Sequence, residues 1–420
     1  MDHFHYRDGE MFAEDVAIAQ IAAEVGTPVY VYSASTFRRH ARVFREGLSA
    51  LPRVHLAYAI KANPNVAVLR VLADEGYGAD VVSVGEMRRA LAAGMKPQDI
   101  VFSGVGKTRA ELAAALEAGI GQFNLELEEE GVVLAALAHE RGLTAPAVIR
   151  VNPDVDAGTH AKISTGRKEN KFGVPIDQAL GMFDRLAGLP GLDLRGVACH
   201  IGSQLGDLAP LEAAYARIGE LVAELRAAGH GISRVDLGGG LGVPYKPGDV
   251  MPEPAAYGAM VARVTQGWDV ELMFEPGRVI AGNAGVLVTE VVWVKPGVAN
   301  PYVIVDAAMN DLARPALYDA YHDFVAVRPN GEKMTANIAG PVCETGDTFA
   351  MNREIDKVVS GDLAIFRTAG AYGATMASTY NSRPLVPEVL VEGERYAVVA
   401  DRIAAETILS AERVPDWLQK

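Results

Sequence analysis

The chain has 420 residues, half of them hydrophobic and 22% charged, with a formal net charge of −14. That balance belongs to a folded protein long enough for two domains, and it lacks the Lys/Arg run that a nucleic-acid footprint needs. Two cysteines, Cys199 and Cys343, exclude a disulfide framework and fit a reducing, cytoplasmic setting. The opening "MDHFHYRDGE" is polar, unlike a secretory signal, and no apolar stretch reaches the ~18 residues a membrane span requires.

In chain order, a β-rich "TPVYVYS" (27–33) comes first. From 36 to 280, short apolar runs then alternate with amphipathic stretches. The runs are "VHLAYAI" (54–60), "ADVVSV" (79–84), "DIVFSG" (99–104), "GQFNLE" (121–126), "PAVIRVN" (146–152), "LRGVACH" (194–200), "RVDLGGG" (234–240) and "ELMFEPG" (271–277). Continuous apolar runs fit strands buried on both faces. The stretches between them, such as "NVAVLRVLADEG" and "TRAELAAALEAG", are helical in pattern and stop at glycine. Eight such units predict an α/β fold, a (β/α)8 TIM-like barrel over 36–280. The rival is an open doubly wound sheet, which calls for fewer strands or a phosphate fingerprint where Lys61 stands. Beyond 281, "GVLVTEVVWVKPG", "PYVIVDA", "DFVAVRPNG" and "ERYAVVADR" read as antiparallel β structure. Residues 1–35 and 281–420 are therefore expected to form a discontinuous all-β domain, sandwich- or Greek-key-like.

Chemistry in such barrels gathers at the C-terminal ends of the strands. Those positions hold Lys61, Asp80 with Ser83, Arg150 with Asn152, His200, Gly238-Gly239-Gly240, and Glu275 with Arg278. A lysine amine that attacks a carbonyl near neutral pH must shed its proton, which burial and neighbouring cations promote; Lys61 thus points to imine chemistry, against the bland alternative of a lysine snorkelling to the rim. The run "DLGGGLG" (236–242) lets backbone N–H groups approach an anion without Cβ obstruction, and its three consecutive glycines plus Gly242 exceed what a plain turn needs. Glu275 can keep a ring nitrogen protonated, Arg278 can pair with a phosphate or carboxylate, and the His200 imidazole can stack on a flat ring. Cys199 precedes His200 in a strand, so it points the other way, into packing. Together these features describe a pocket for pyridoxal 5'-phosphate, with no metal.

"YAIKANPN", "HIGSQ", "DLGGGLG", "EPGR", "GPVCETGD" and "GAYG" occur in this order over nearly the whole chain. With them the chain resembles the alanine-racemase-like (fold-type III) pyridoxal phosphate decarboxylases, most closely their diaminopimelate-specific branch. The resemblance implies a barrel plus a β domain and a head-to-tail homodimer with the active site at its interface. It implies that Lys61 carries the cofactor, that Glu275 faces its ring nitrogen and that His200 stacks on it. Gly239, Gly240, Gly277, Arg278 and Tyr372 would hold the cofactor, with Ser203 and Asp80 in support. Cys343, reaching in from the partner subunit, would protonate the substrate carbon. Val84 stands where many relatives carry glycine or alanine, a departure that touches no chemistry.

The substrate is read from its far end. Meso-2,6-diaminopimelate carries a second ammonium and a second carboxylate there, whereas ornithine carries an amine alone. Arg314 and Tyr318 lie four residues apart, on one face of a helical turn that Pro315 suits, and Glu344 supplies an anion. An arginine repels the ornithine amine. Arg278 and Tyr372 join the substrate-binding set, and "DAGTHAKISTGRKENKFG" (156–173) resembles the loop of the diaminopimelate enzymes. The expected reaction is decarboxylation to L-lysine and CO2, the last step of lysine biosynthesis. Ornithine, arginine or carboxynorspermidine decarboxylation on the same fold, a racemase, and a non-catalytic decarboxylase-like binding protein are the alternatives.

Overall fold

In the computed structural model, which describes residues 2–156 and 171–419, the eight apolar runs form eight strands. They are β1 (Val54–Ala59), β2 (Gly78–Val81), β3 (Ile100–Phe102), β4 (Gln122–Leu125), β5 (Ala145–Asn152), β6 (Leu192–Ala198), β7 (Arg234–Asp236) and β8 (Glu271–Phe274). Each pairs parallel with the next, and β8 pairs with β1, so the sheet closes on itself. Closure removes the open-sheet alternative.

The strands are apolar throughout because both faces are covered: every residue of β2, β3 and β4 is buried. Inside the barrel, Ala57, Val101 and Met273 form a small apolar layer. The helices follow local signals. Thr108 accepts the Glu111 N–H at 3.3 Å while the Glu111 carboxylate accepts the Thr108 N–H at 3.1 Å, a reciprocal cap that starts helix Arg109–Ala118. Gly119, in the left-handed region at φ 70°, ends it.

The chain divides into two compact units, one of Phe37–Pro244 and Gly248–Ile280, the other of Met1–Thr36, Tyr245–Pro247 and Ala281–Lys420. The second is mostly β. Its long strand Gly285–Lys295 pairs antiparallel with Val29–Ser33, Leu363–Phe366 and Tyr302–Val305. Val31, Val286, Val288, Ile365 and Val389 pack in one core with Ile18 and Ile21 of helix Ile18–Val25. Two pairings depart from the antiparallel expectation. Val29–Ser33 runs parallel to Glu388–Glu392, and Tyr302–Val305 runs parallel to Lys333–Ala339. Period-two alternation reports which face is buried but not strand direction, which the long connections between these strands decide. Among the described residues, no helix is long and apolar enough to cross a membrane.

Gly196 marks the tightest seam of the barrel. It sits in β6 opposite Val148 of β5 and Arg234 of β7, and a Cβ there would lie 1.7 Å from the Arg234 carbonyl oxygen. Backbone cannot yield as a side chain can, so Gly196→Ala is expected to lower unfolding free energy by about 1–3 kcal/mol. Gly188→Ala, where a Cβ meets nothing within 4 Å, should leave it nearly unchanged. Urea unfolding of the two variants checks this.

Candidate active site

Where β1 ends, the chain takes a tight 3-10 turn over Ile60–Ala62. Asn63 Oδ1 then accepts the Asn65 N–H at 3.1 Å, and Asn65 Oδ1 accepts the Ala67 N–H at 3.0 Å, capping helix Val66–Asp74. Lys61 is thus fixed between a strand end and a helix cap. Its Nζ lies 2.6 Å from Oδ2 of Asp80, which β2 presents fully buried. Asp80 Oδ1 is buried and meets no hydrogen-bond partner among the described residues.

Lys61 faces a cavity of about 430 Å³ that is also lined by Ser103, Arg150, His200, Asp236 and Glu275. Below the cavity, alternate strand residues point inward and are polar. Arg234 Nε donates to Glu271 at 2.7 Å and its Nη1 to Gln122 Oε1 at 3.2 Å. Gln122 Nε2 donates to Asn124 Oδ1 at 2.7 Å and to Asp236 Oδ2 at 3.3 Å. Asn124 Nδ2 lies 3.0 Å from Ser103 Oγ, 3.2 Å from Asp236 Oδ2 and 3.4 Å from Glu275 Oε1. A hydrogen-bonded column therefore runs from the floor of the barrel to Glu275.

Burial sets the electrostatics. It pushes the Glu275 carboxyl well above the usual carboxylate range, with the charges of Asp236 and Asp80 adding to the effect. Asp236 is raised by burial too, opposed by its hydrogen bond from Gly238. The His200 imidazole is pushed down to about 3 by burial, then by the positive charges of Arg150 and Lys61. Its Nδ1 accepts the Gly239 N–H at 3.2 Å, so the neutral ring carries its proton on Nε2. Burial likewise raises the Cys199 thiol, which is enclosed and remote from thiolate chemistry.

The remaining strand-end residues divide. Arg150 Nη1 donates to Glu126 at 2.8 Å, and its guanidinium lies over Phe172. Arg278, buried, donates from Nε and Nη2 to Ser203 Oγ, both at 3.3 Å. Ser83 caps helix Val84–Ala92 by accepting the Glu86 N–H, and Asn152 Oδ1 accepts the Asp154 N–H; both do local structural work. The triple glycine has a reason beyond anion access. A Cβ on Gly239 would sit 2.3 Å from the Glu275 carbonyl oxygen, and one on Gly240 (φ 126°) 2.7 Å from that of Gly202. The N–H groups of Gly238 and Gly239 are spent on Asp236 and His200, and only that of Gly240 donates to no described residue. Gly277 packs on Ala59 and Ala62.

Within the β-rich unit, Arg314 opens the short helix Arg314–Tyr318, and Tyr318 closes it. Arg314 is buried: Nη1 lies 2.9 Å from His322 Nε2, and the guanidinium stacks 4.5 Å above the Tyr245 ring. His322 Nδ1 lies 2.9 Å from the Arg367 carbonyl oxygen, which fixes Nε2 as the acceptor. Cys343 and Glu344 are exposed on a turn pinned by buried Asp347, which accepts the Val342 and Met309 N–H groups, both at 2.7 Å. The Cys343 N–H donates to Asn381 at 2.9 Å, and Glu344 accepts from Tyr380, raising that hydroxyl. Tyr372 adopts φ 57°, a left-handed conformation strained for an aromatic residue.

Reading only the strand ends missed Gln122, Asn124 and Asp236. The signal for them is a polar residue on the inward parity of an otherwise apolar strand, two residues below a strand-end residue. The loop singled out at 156–173 lies, over 157–170, outside the described residues.

Residues 35–282 match the family of the pyridoxal-dependent decarboxylases, over its pyridoxal binding domain. The chain is 51% identical to the diaminopimelate decarboxylase of Zymomonas mobilis, covering 99% of each chain. It is 47% identical to that of Vibrio cholerae, again over 99% of each. The crystal structure of diaminopimelate decarboxylase from M. jannaschii in co-complex with L-lysine is 35% identical, with a TM-score of 0.95 and 99% of each chain covered. The chain belongs to the pyridoxal-dependent decarboxylases, within their diaminopimelate decarboxylase family.

Proposed function

We propose that this protein removes CO2 from the D-centre of meso-2,6-diaminopimelate to give L-lysine, with pyridoxal 5'-phosphate as its cofactor. The observation that carries the reading is the Lys61 amine on a barrel cavity whose floor carries the Glu275 carboxyl, pushed well above the usual carboxylate range. The donor set suits the cofactor: a carboxyl held at high proton affinity meets a ring nitrogen, and the glycine tract keeps a Cβ-free wall beside it. When bound, the cofactor supplies an electron sink for the pair left behind as CO2 departs.

The chain's own residues do the rest. Lys61 binds the cofactor through its amine, and Asp80 aims that amine. Glu275 keeps the ring nitrogen protonated. His200, neutral, would stack on the ring and add no charge. Gly239, Gly240, Gly277, Arg278, Ser203 and Tyr372 hold the cofactor, Arg278 and Tyr372 also facing the substrate. Arg314, Tyr318 and Glu344 recognise the distal carboxylate and ammonium. Cys343 delivers a proton to Cα and regains one from solvent. Its exposure on this chain supports supply from a second copy, in a head-to-tail homodimer in the cytoplasm.

CO2 release from meso-diaminopimelate, ornithine and carboxynorspermidine, measured side by side, tests the substrate; silence with the first overturns this reading. Lys61→Ala should abolish an absorbance band near ~420 nm together with CO2 release. Cys343→Ala should keep the band while kcat falls by about 10²–10⁴.

His200 gives a pH prediction. Its folded value of about 3 lies below the ordinary 6.5. As pH falls below 6.5 the unfolded chain takes up this proton first, so the site's contribution to stability is full above 6.5 and drains away toward pH 3. His200→Phe should therefore lose stability less steeply over that window, by about 1.4 kcal/mol per pH unit, in urea titrations run at successive pH values.

A further inference from the structure

With Asp80 engaged by Lys61, the barrel leaves two further carboxyl groups, Asp236 and Glu275, where a ring nitrogen needs one. Asp236 is the better solvated of the pair: Oδ1 accepts the Gly238 N–H at 2.9 Å, and Oδ2 accepts from Asn124 at 3.2 Å and Gln122 at 3.3 Å. Among the described residues Glu275 accepts two long contacts, from Ser103 and Asn124, both at 3.4 Å, and it shares a side-chain hydrogen bond with Asp236 that raises Glu275 and lowers Asp236. The short Gly238 N–H and the Gln122 amide favour the ionised form of Asp236, and the hydrogen bond between the two side chains leaves Glu275 as the natural seat of the shared proton. The charged groups around the pair come from neighbouring strands. Lys61 is engaged by Asp80 at 2.6 Å and Arg150 by Glu126 at 2.8 Å, while His200 is neutral and Cys199 is an un-ionised thiol.

We propose that Asp236 is a positioning residue that keeps Glu275 protonated in the cofactor-free protein, and that Glu275 hands this proton to the ring nitrogen as pyridoxal phosphate seats. The Glu275 O–H bond breaks, an N–H bond forms on the ring, and the electron pair and negative charge stay on Glu275. The site's proton count does not change, so the ring is protonated without drawing on solvent. The burial that raises Glu275 acts in the same direction. The role rests on the cofactor reading above and extends it to Asp236, which acts only through Glu275.

The test uses cofactor-free enzyme and pyridoxine 5'-phosphate, which lacks the aldehyde and so reports the ring nitrogen apart from Lys61 chemistry. Calorimetry in two buffers of different ionisation enthalpy, at a pH where the free ring nitrogen is unprotonated, counts protons exchanged on binding. The wild type should take up close to none, and Asp236→Asn about one more per chain. Infrared difference spectra of the wild type should lose a protonated-carboxyl stretch on binding, and Glu275→Gln should lack that change. Equal proton counts in the wild type and Asp236→Asn, or no carboxyl band lost in the wild type, overturn the proposal while leaving the cofactor reading intact. The infrared result decides alone if Asp236→Asn does not fold. Failure of pyridoxine 5'-phosphate to bind overturns both.

Discussion

Carboxyl groups at the core and cavity floor of a barrel, as Asp80, Asp236 and Glu275 are, can remain there only if donors surround them. Taking an ionised carboxylate out of water costs several kcal/mol, and an unpaired one titrates to its neutral form instead. Barrel interiors are ordinarily layers of branched apolar side chains. Here one such layer, of Ala57, Val101 and Met273, is joined by the amides of Gln122 and Asn124, which carry hydrogen bonds upward from Arg234 to Asp236 and Glu275. A polar column of this kind must be nearly fully satisfied to be stable, which fixes the side chains around the cavity floor.

The cavity above inherits that order. Lys61 cannot wander, because the turn holding it is tied to a helix cap and its amine to Asp80. His200 stays neutral because a protonated ring would be buried near Arg150 and Lys61. Glycine lies between the ends of β6 and β8 because the neighbouring backbones leave no room for a Cβ. Each feature is a packing or solvation constraint first, and the chemistry uses the result.

In the β-rich unit the same economy appears in another form. Arg314 is buried, with its guanidinium plane set by Tyr245 and His322, so its donors are held in one orientation. Cys343 and Glu344 are instead exposed, on a turn whose shape buried Asp347 dictates through backbone N–H groups. Tyr372 holds a strained backbone between Gly370 and Gly373, neither of which has room for a Cβ.

The sequence by itself determined the barrel, because eight doubly buried strands leave eight apolar runs and each helix carries its own start and stop. It also determined the strand-end residues, since Lys61, His200, Glu275 and Arg278 are polar where an apolar run stops. It could not separate Ser83 and Asn152, which finish local turns, from residues that face the cavity, because both kinds are simply polar residues near a strand end. Nor could it find Asp236 or Asn124, whose meaning depends on which inward residue of which other strand lies opposite. Strand direction in the β-rich unit was equally hidden, since alternation is the same for parallel and antiparallel neighbours. The long connections of that unit decided strand direction, while closure of the barrel sheet decided the rest, bringing together side chains more than a hundred residues apart and setting the solvation of the buried charges among them.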